Sequence, residues 1–311
     1  MDYRTFLKDM PDACKVALTQ TDDWRGLRHA ILHFGLIGIV GWAITIGAPF
    51  WPLLIVLQGV LIAFLFTLAH EATHQTPFKT RWLNEAAGHF CGFLLILPFY
   101  WFRPFHMAHH RWTNLQGQDP ELDAPKPETF TGWLWHISGF PFWGAMIALL
   151  FWLVRGVEAP DYLGKRTKPK AEREARIMLV LYIAIAVFSV FDPVLIWVWI
   201  IPAIVGQPAL RLYLMAEHGD CPQVTDMFAN TRTVFTTRIM RFLAWNMPYH
   251  TEHHVWPQVP FHQLPALHLE MREHLQVTSA GYAAFTQNYL ARLRSSGQTA
   301  TQTGDTKRNI Q

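Results

Sequence analysis

Nine of the sixteen histidines fall in a pattern that metal chemistry can use. His70 and His74 stand in HEATH, His106, His109 and His110 in HMAHH, and His250, His253 and His254 in HTEHH, while His218 stands alone in AEHGD. On a helix, residues four apart are offset by only about 40° around the axis, and residues three apart by about 60° the other way. Each cluster therefore gathers its imidazoles on one face. Neutral imidazole is a ligand for iron and zinc. HExxH alone also fits a zinc peptidase helix with Glu71 as general base, and one HxxHH alone fits packed histidines at a helix end. Two HxxHH trios beside an HxxxH pair are far more specific. Eight or nine imidazoles exceed the roughly four ligands of one tetrahedral zinc. They suit two metals, each with an open position, and a nitrogen-rich site favours iron over magnesium or calcium, which take oxygen.

Composition dictates what must position these residues. Hydrophobic residues make up 51% of the 311 and charged residues 16%, against about 25% charged in a typical soluble domain. The apolar residues come in long runs. Residues 30–51 and 52–69, split by Pro52, and 177–191 and 194–210, split by Asp192 and Pro193, each approach the roughly 20 residues that cross a bilayer. They read as two helical hairpins. Segment 155–176 carries Arg155, Lys165, Arg166, Lys168, Lys170, Arg173 and Arg176 against four acids, and the positive-inside rule assigns it to the cytoplasm. Stretches 86–102 and 132–154 are also apolar, and hydropathy alone would read six spans. One extra crossing would put the basic segment outside, and two would strand the histidine clusters on the far face. Both stretches are therefore read as interfacial or re-entrant.

The predicted fold is an all-α integral membrane protein: four transmembrane helices in two hairpins, interfacial helices, and a cytoplasmic histidine-rich cap over 218–294. Both termini and all histidine clusters are expected on the cytoplasmic side. Residues 1–294 are expected to form a single domain and the polar tail 295–311 to be disordered. The net charge of +3 gives no argument for nucleic acid, and Cys14, Cys91 and Cys221 suggest no disulfide framework. The first 25 residues hold no apolar core of a signal peptide, so none is expected.

HEATH, HMAHHRWTN and HTEHHVWPQVP resemble the three histidine boxes of the membrane fatty acid desaturase and hydroxylase superfamily, and the likeness runs from about His70 to Leu267. It implies a non-haem di-iron centre that uses O2 as co-substrate, with two electrons, on a lipid-like substrate. Desaturases of that family remove two hydrogens, while hydroxylases and ketolases insert oxygen. The resemblance also marks His218, in RLYLMAEHG at the end of the last span, as an additional ligand, and Asn246, in WNMPYHTEHH, as a residue that holds a metal-bound water. The expected ligands are then His70, His74, His106, His109, His110, His218, His250, His253 and His254. A fatty acyl desaturase is the first reading. A hydroxylase, ketolase or other monooxygenase on the same centre is the second, and a zinc protease built on HEATH or a non-enzymatic metal or haem carrier are the others.

Metal-bound imidazoles donate their second N–H to a carboxylate or carbonyl, and Glu71, Asp119, Asp123, Asp226 and Glu252 lie near the boxes for that role. His218, at a helix end, is expected to bury little. His29, His33, His89, His136, His262, His268 and His274 do not fit the box spacing and read as packed residues. Arg103, Arg111 and Arg211 read as interface anchors or partners of an acidic headgroup. The chain shows no haem-binding motif, four-cysteine cluster or dinucleotide fingerprint. A separate ferredoxin, rubredoxin or cytochrome b5 is thus the expected electron donor.

Overall fold

The computed structural model describes residues 2–156, 158 and 160–308, and of residues 296–308 the backbone alone. Two short helices, α1 (Tyr3–Asp9) and α2 (Asp12–Leu18), precede α3 (Asp23–Thr45), which starts where the Asp22 carboxylate accepts from Trp24 N. The chain then turns into α4 (Trp51–Ala63), with Pro52 in its first turn where no N–H is needed. After a break at Phe64, α5 (Leu65–His74) continues the span. Next come α6 (Arg81–Leu94), α7 (Phe99–Trp112), α8 (Phe130–Ile137) and α9 (Phe140–Arg155). The second hairpin is α10 (Gly164–Phe191), a π-helical turn over Ile196–Ile200, and α11 (Ile201–His218). The cap holds α12 (Met227–Asn230), β1 (Thr233–Val234), α13 (Arg238–Leu243), α14 (His250–Val255), α15 (Leu264–Met271), β2 (Thr278–Ser279) and α16 (Tyr282–Arg308). The two strands pair in parallel, Thr233 opposite Thr278. The tail expected to be disordered falls, from residue 296, outside the residues whose side chains are described.

Among the described residues, four helical stretches are long and apolar enough to cross a membrane: Asp12–Thr45, Trp51–His74, Asp161–Phe191 and Ile196–His218. This is the architecture of a multi-pass helical membrane protein. The helices run beyond the apolar runs, so that α5 and α11 end on His74 and His218 rather than at the edge of the hydrocarbon. The two ambiguous stretches are bent pairs, α6 with α7 at 102° and α8 with α9 at 55°. At the first bend Ile96 adopts φ 56°, an unfavourable conformation for a β-branched residue. Leu97 N donates back to Gly92 O at 2.8 Å. A Cβ on Gly92 would lie 2.3 Å from Leu97 O, so only glycine allows the reversal.

The span Trp51–His74 is the centre of the bundle, with 61% of its apolar window buried against 11% for Asp161–Phe191. It crosses α11 at Gly59 and Gly206, where an added Cβ on either would meet backbone of the other helix within about 3 Å. Small residues permit such close approach between membrane helices. Both irregularities of the spans are compensated. The break at Phe64 leaves the Leu61 carbonyl to accept from His33 Nε2 at 2.9 Å, and Gln58 Nε2 donates to Val198 O in the π-helical turn at 3.0 Å.

One carboxylate holds the bent pair α6 and α7. Glu174 on α10 accepts from Phe99 N at 3.0 Å and Tyr100 N at 2.8 Å, and meets His89 Nδ1 on α6. Pro98 precedes α7 and offers no side-chain cap, so a residue of another helix supplies it and adds a negative charge at the positive helix end. Glu174→Ala is expected to cost about 1–3 kcal/mol, read as a lower unfolding midpoint in detergent. Glu172→Ala removes only pairs with Lys168 and Arg176 and should stay within about 0.5 kcal/mol. Equal losses in both would refute the capping role.

Candidate metal centre

The three histidine clusters sit on three helices, and α11 adds a fourth approach. α5 carries His70 and His74, α7 carries His106, His109 and His110, α14 carries His250, His253 and His254, and His218 closes α11. All nine rings meet. His70, His74, His106, His110 and His253 each bring one ring nitrogen within 4.8 Å of the others, and His109, His218 and His254 do the same. His250 joins the second group through a 2.9 Å approach of its Nε2 to His218 Nε2. The nine thus divide into five and four. His74 and His110 are half-buried and the other seven buried. His218, expected to bury little, is only 8% exposed, because α12, α14 and the segment after α7 fold over the helix end.

Nitrogen meets nitrogen in this cluster. His106 Nε2 lies 2.9 Å from both His74 Nε2 and His110 Nε2, and His253 Nε2 lies 3.2 Å from His110 Nε2. A ring nitrogen carries one proton or one lone pair, so His106 Nε2 cannot satisfy two such neighbours by hydrogen bonding. A cation can. Each ring would give it one lone pair, which removes the need for a proton between the nitrogens. Several other ring atoms have no hydrogen-bond partner among the described residues, including Nδ1 of His70, His106 and His110 and Nε2 of His254. Burial first, and then the neighbouring imidazoles, hold His250, His253 and His254 well below the ordinary imidazole value. Their rings are neutral, the form that binds metal. The donor set fits metal ions that accept nitrogen.

The groups behind the rings decide which nitrogen faces inward. His109 Nδ1 donates to the Asp119 carboxylate at 2.9 Å, and Asp119 also accepts from Asn114 N and Glu121 N, so the loop after α7 holds it still. His218 Nδ1 donates to Asn230 O at 3.3 Å. Thr113 Oγ1 donates to His109 O and so accepts from His254 Nδ1 at 3.1 Å, which leaves His254 Nε2 as the free atom. Glu71 is fully buried, accepts from Phe261 N and Thr76 Oγ1, and lies 3.5 Å from His253 Nδ1. It ties the first box to the chain just after the third.

Other expected partners go elsewhere. Glu252 accepts from Thr233 Oγ1 and meets His268 Nδ1, because its position on α14 points it away from the ring face. Asn246 sits in a left-handed turn and donates its Nδ2 to Phe261 O at 3.0 Å. Asp226 caps α12 and accepts from Gln276, and Asp123 is an exposed residue of the loop. Arg211, expected at the interface, instead stacks its guanidinium over Phe142 at 4.4 Å. The residues that sequence reasoning missed are Thr113, Asn230 and Glu217, the last 3.4 Å from His250 Nδ1. Glu217 had one available signal, its place beside His218. The histidines outside the boxes are packed as expected, His29 against Phe242 O and His262 against Arg25.

The family model described as fatty acid desaturase matches residues 19–286. An sn-1 oleoyl-lipid 12-desaturase of Anabaena variabilis is 28% identical over 132 residues, 42% of this chain and 36% of that protein. One of the same name from Arthrospira platensis is 21% identical over 266 residues, 78% of this chain and 74% of that protein. Fatty acid conjugase FAC2 B of Calendula officinalis is 26% identical over 241 residues, 68% of this chain and 64% of that protein. The chain thus spans about a third of the first relative's length and just under two thirds of the third's.

Asp119 gives a direct test of how the rings are held. Replacing a carboxylate behind a metal-bound histidine lowers metal affinity about 10–100-fold. Asp119→Ala should do so in a chelator competition, while Asp123→Ala should match the wild type. Unchanged affinity in Asp119→Ala would show that His109 takes no part in metal binding.

Proposed function

This chain belongs to the fatty acid desaturase family, and we propose that it is an O2-dependent desaturase of fatty acyl chains, with two irons held by nine histidines. The observation that carries the reading is the division of converging ring nitrogens into a group of five and a group of four. His70, His74, His106, His110 and His253 would hold one iron, and His109, His218, His250 and His254 the other. Bound there, the pair of irons supplies the means to activate O2, with two electrons, against an unactivated C–H bond. The protein's share is orientation and exclusion of water. Asp119, Asn230 O and Thr113 fix the tautomers of His109, His218 and His254, so each presents a lone pair inward. Phe66 and Phe102 lie against His70 and His106 on the membrane side and keep that approach apolar, as an acyl chain requires.

The relatives named for oleoyl-lipid support a fatty acyl substrate. A hydroxylase or ketolase on the same centre is the second reading, since placement of the substrate decides between hydrogen removal and oxygen insertion. Labelled O2 separates them: desaturation leaves the label in water, hydroxylation puts it in the product. The protease reading loses support from Glu71, whose carboxylate is engaged by Phe261 N and Thr76 instead of facing a substrate. Electrons come from a separate ferredoxin, rubredoxin or cytochrome b5.

The purified protein should carry about two irons per chain and no essential zinc. His218→Ala should lose turnover and fall toward about one iron, while His262→Ala and His89→Ala keep both. Full iron and full turnover in His218→Ala would reduce the centre to eight histidines, and one zinc that alone restores activity would remove the di-iron reading.

Both termini and the histidine cluster belong on the cytoplasmic side, because the basic residues of 155–176 adjoin the same end of the helices. Single cysteines placed near residues 120 and 165 should label from the same face of sealed vesicles. Labelling from opposite faces would refute this topology.

A further inference from the structure

Arg103 and Arg111, which the histidine cluster leaves without a role, stand with Lys170 around a cleft of about 550 Å³ between α7, the turn Asp161–Leu163 and α10. We propose that this cleft binds the phosphate of an anionic membrane lipid. Its volume falls within the roughly 300–1,000 Å³ of small-molecule sites. α7 supplies one wall from the side turned away from the rings: Arg103, Met107 and Arg111 follow each other four residues apart, whereas His106, His109 and His110 face the cluster. α10 supplies Lys170, whose ammonium lies 5.7 Å from the ring of Tyr100.

The cations are available. Arg111 and Lys170 are exposed and make no ion pair among the described residues. Arg103 is partly committed, donating at 2.9 and 3.2 Å to Glu85 and at 3.4 Å to Ala72 O, while its Nε has no partner among the described residues. Asp161 is the one carboxylate of the lining, so positive charge prevails. Basic pockets between spanning helices are where anionic headgroups bind, and Tyr100, Trp112 and Tyr162 around the cleft are the aromatic types of the membrane boundary.

Depth selects a lipid over a soluble protein. Along α10, Lys170 precedes Ile177, where the apolar run to Phe191 begins, by about 10 Å of helix rise. The charged residues Glu172, Arg173, Glu174 and Arg176 between them mark the interfacial layer, which adds roughly 5–8 Å to each side of the hydrocarbon. The Lys170 ammonium thus stands near the phosphate level. An acidic protein arriving from water would meet Lys165 and Arg166 first. A phosphate seated between Arg111 and Lys170 would tie α7, and with it one histidine box, to α10 by a second link besides Glu174.

The test uses the full chain in phosphatidylcholine nanodiscs with rising phosphatidylglycerol, and in detergent with inorganic phosphate or glycerol 3-phosphate, reading retained lipid by native mass spectrometry and the unfolding midpoint. The wild type should retain phosphatidylglycerol over phosphatidylcholine. The double variant Arg111→Gln/Lys170→Gln should bind it roughly thirtyfold more weakly, about fivefold for each cation. Lys165→Gln/Arg166→Gln should bind as the wild type does, and so should Arg111→Lys/Lys170→Arg, which keeps the charge and guards against a folding defect. Soluble phosphates should not compete. Equal affinity for inorganic phosphate would overturn the lipid assignment in favour of a free phosphate compound. Unchanged phosphatidylglycerol retention in the double variant would overturn the site. Loss of ferredoxin binding in that variant, with lipid retention intact, would make the cleft a protein dock and overturn it too.

Discussion

Where one ring nitrogen lies within hydrogen-bond distance of two others, as His106 Nε2 does, one proton cannot serve both contacts and a shared cation can, and this protein gathers nine imidazoles around such contacts. Leaving a buried polar atom without a partner costs about 1–3 kcal/mol, and His70, His106, His110 and His254 all contribute such atoms. The fold around them therefore cannot be understood from apolar burial alone. Everything that brings α5, α7, α11 and α14 to one point works against this local cost, and the carboxylates and carbonyls behind the rings limit how far the rings can turn away from one another.

Delivering four helix ends to one layer forces irregularities, and each has its own compensation. The central span breaks at Phe64, and His33 takes the carbonyl released. The last span passes through a π-helical turn, and Gln58 takes its carbonyl. The chain reverses at Ile96 and enters α7 under Glu174. In hydrocarbon, an unpaired backbone group costs several kcal/mol, so these polar side chains inside or beside the spans are the condition for bending helices there at all.

The boxes were legible in the sequence because a metal-binding face needs only local spacing, and the four spans because crossing a bilayer needs only length and apolarity. The two further apolar stretches, α6 with α7 and α8 with α9, were legible as departures from straight spans, and each is a bent pair. What escaped depends on direction and on distant chain. Glu252 lies between two ligands in sequence, yet helical geometry turns it to Thr233 and His268. The bond from Asn246 to Phe261 O depends on a left-handed turn at Trp245 and Asn246 that no local pattern announces. Thr113 and Asn230 support His254 and His218 across 141 and 12 residues of chain respectively, and no local pattern announces them. Arg211 is basic, as an interface residue would be, yet it lies on Phe142.

The third box sits on α14, a helix of six residues held by the buried carboxylate of Glu71 in the first box and by its own Glu252, which reaches Thr233 and His268 in the cap. Such a helix is too short to stand alone in water. During synthesis both hairpins leave the ribosome before residues 250–254, because chains emerge N-terminus first. The membrane part can be laid down complete while the cluster still lacks three of its nine rings. The five-ring group then waits for His253 alone, whereas the other group waits for His250 and His254 and has only two of its four, so the two halves close unequally when the cap folds.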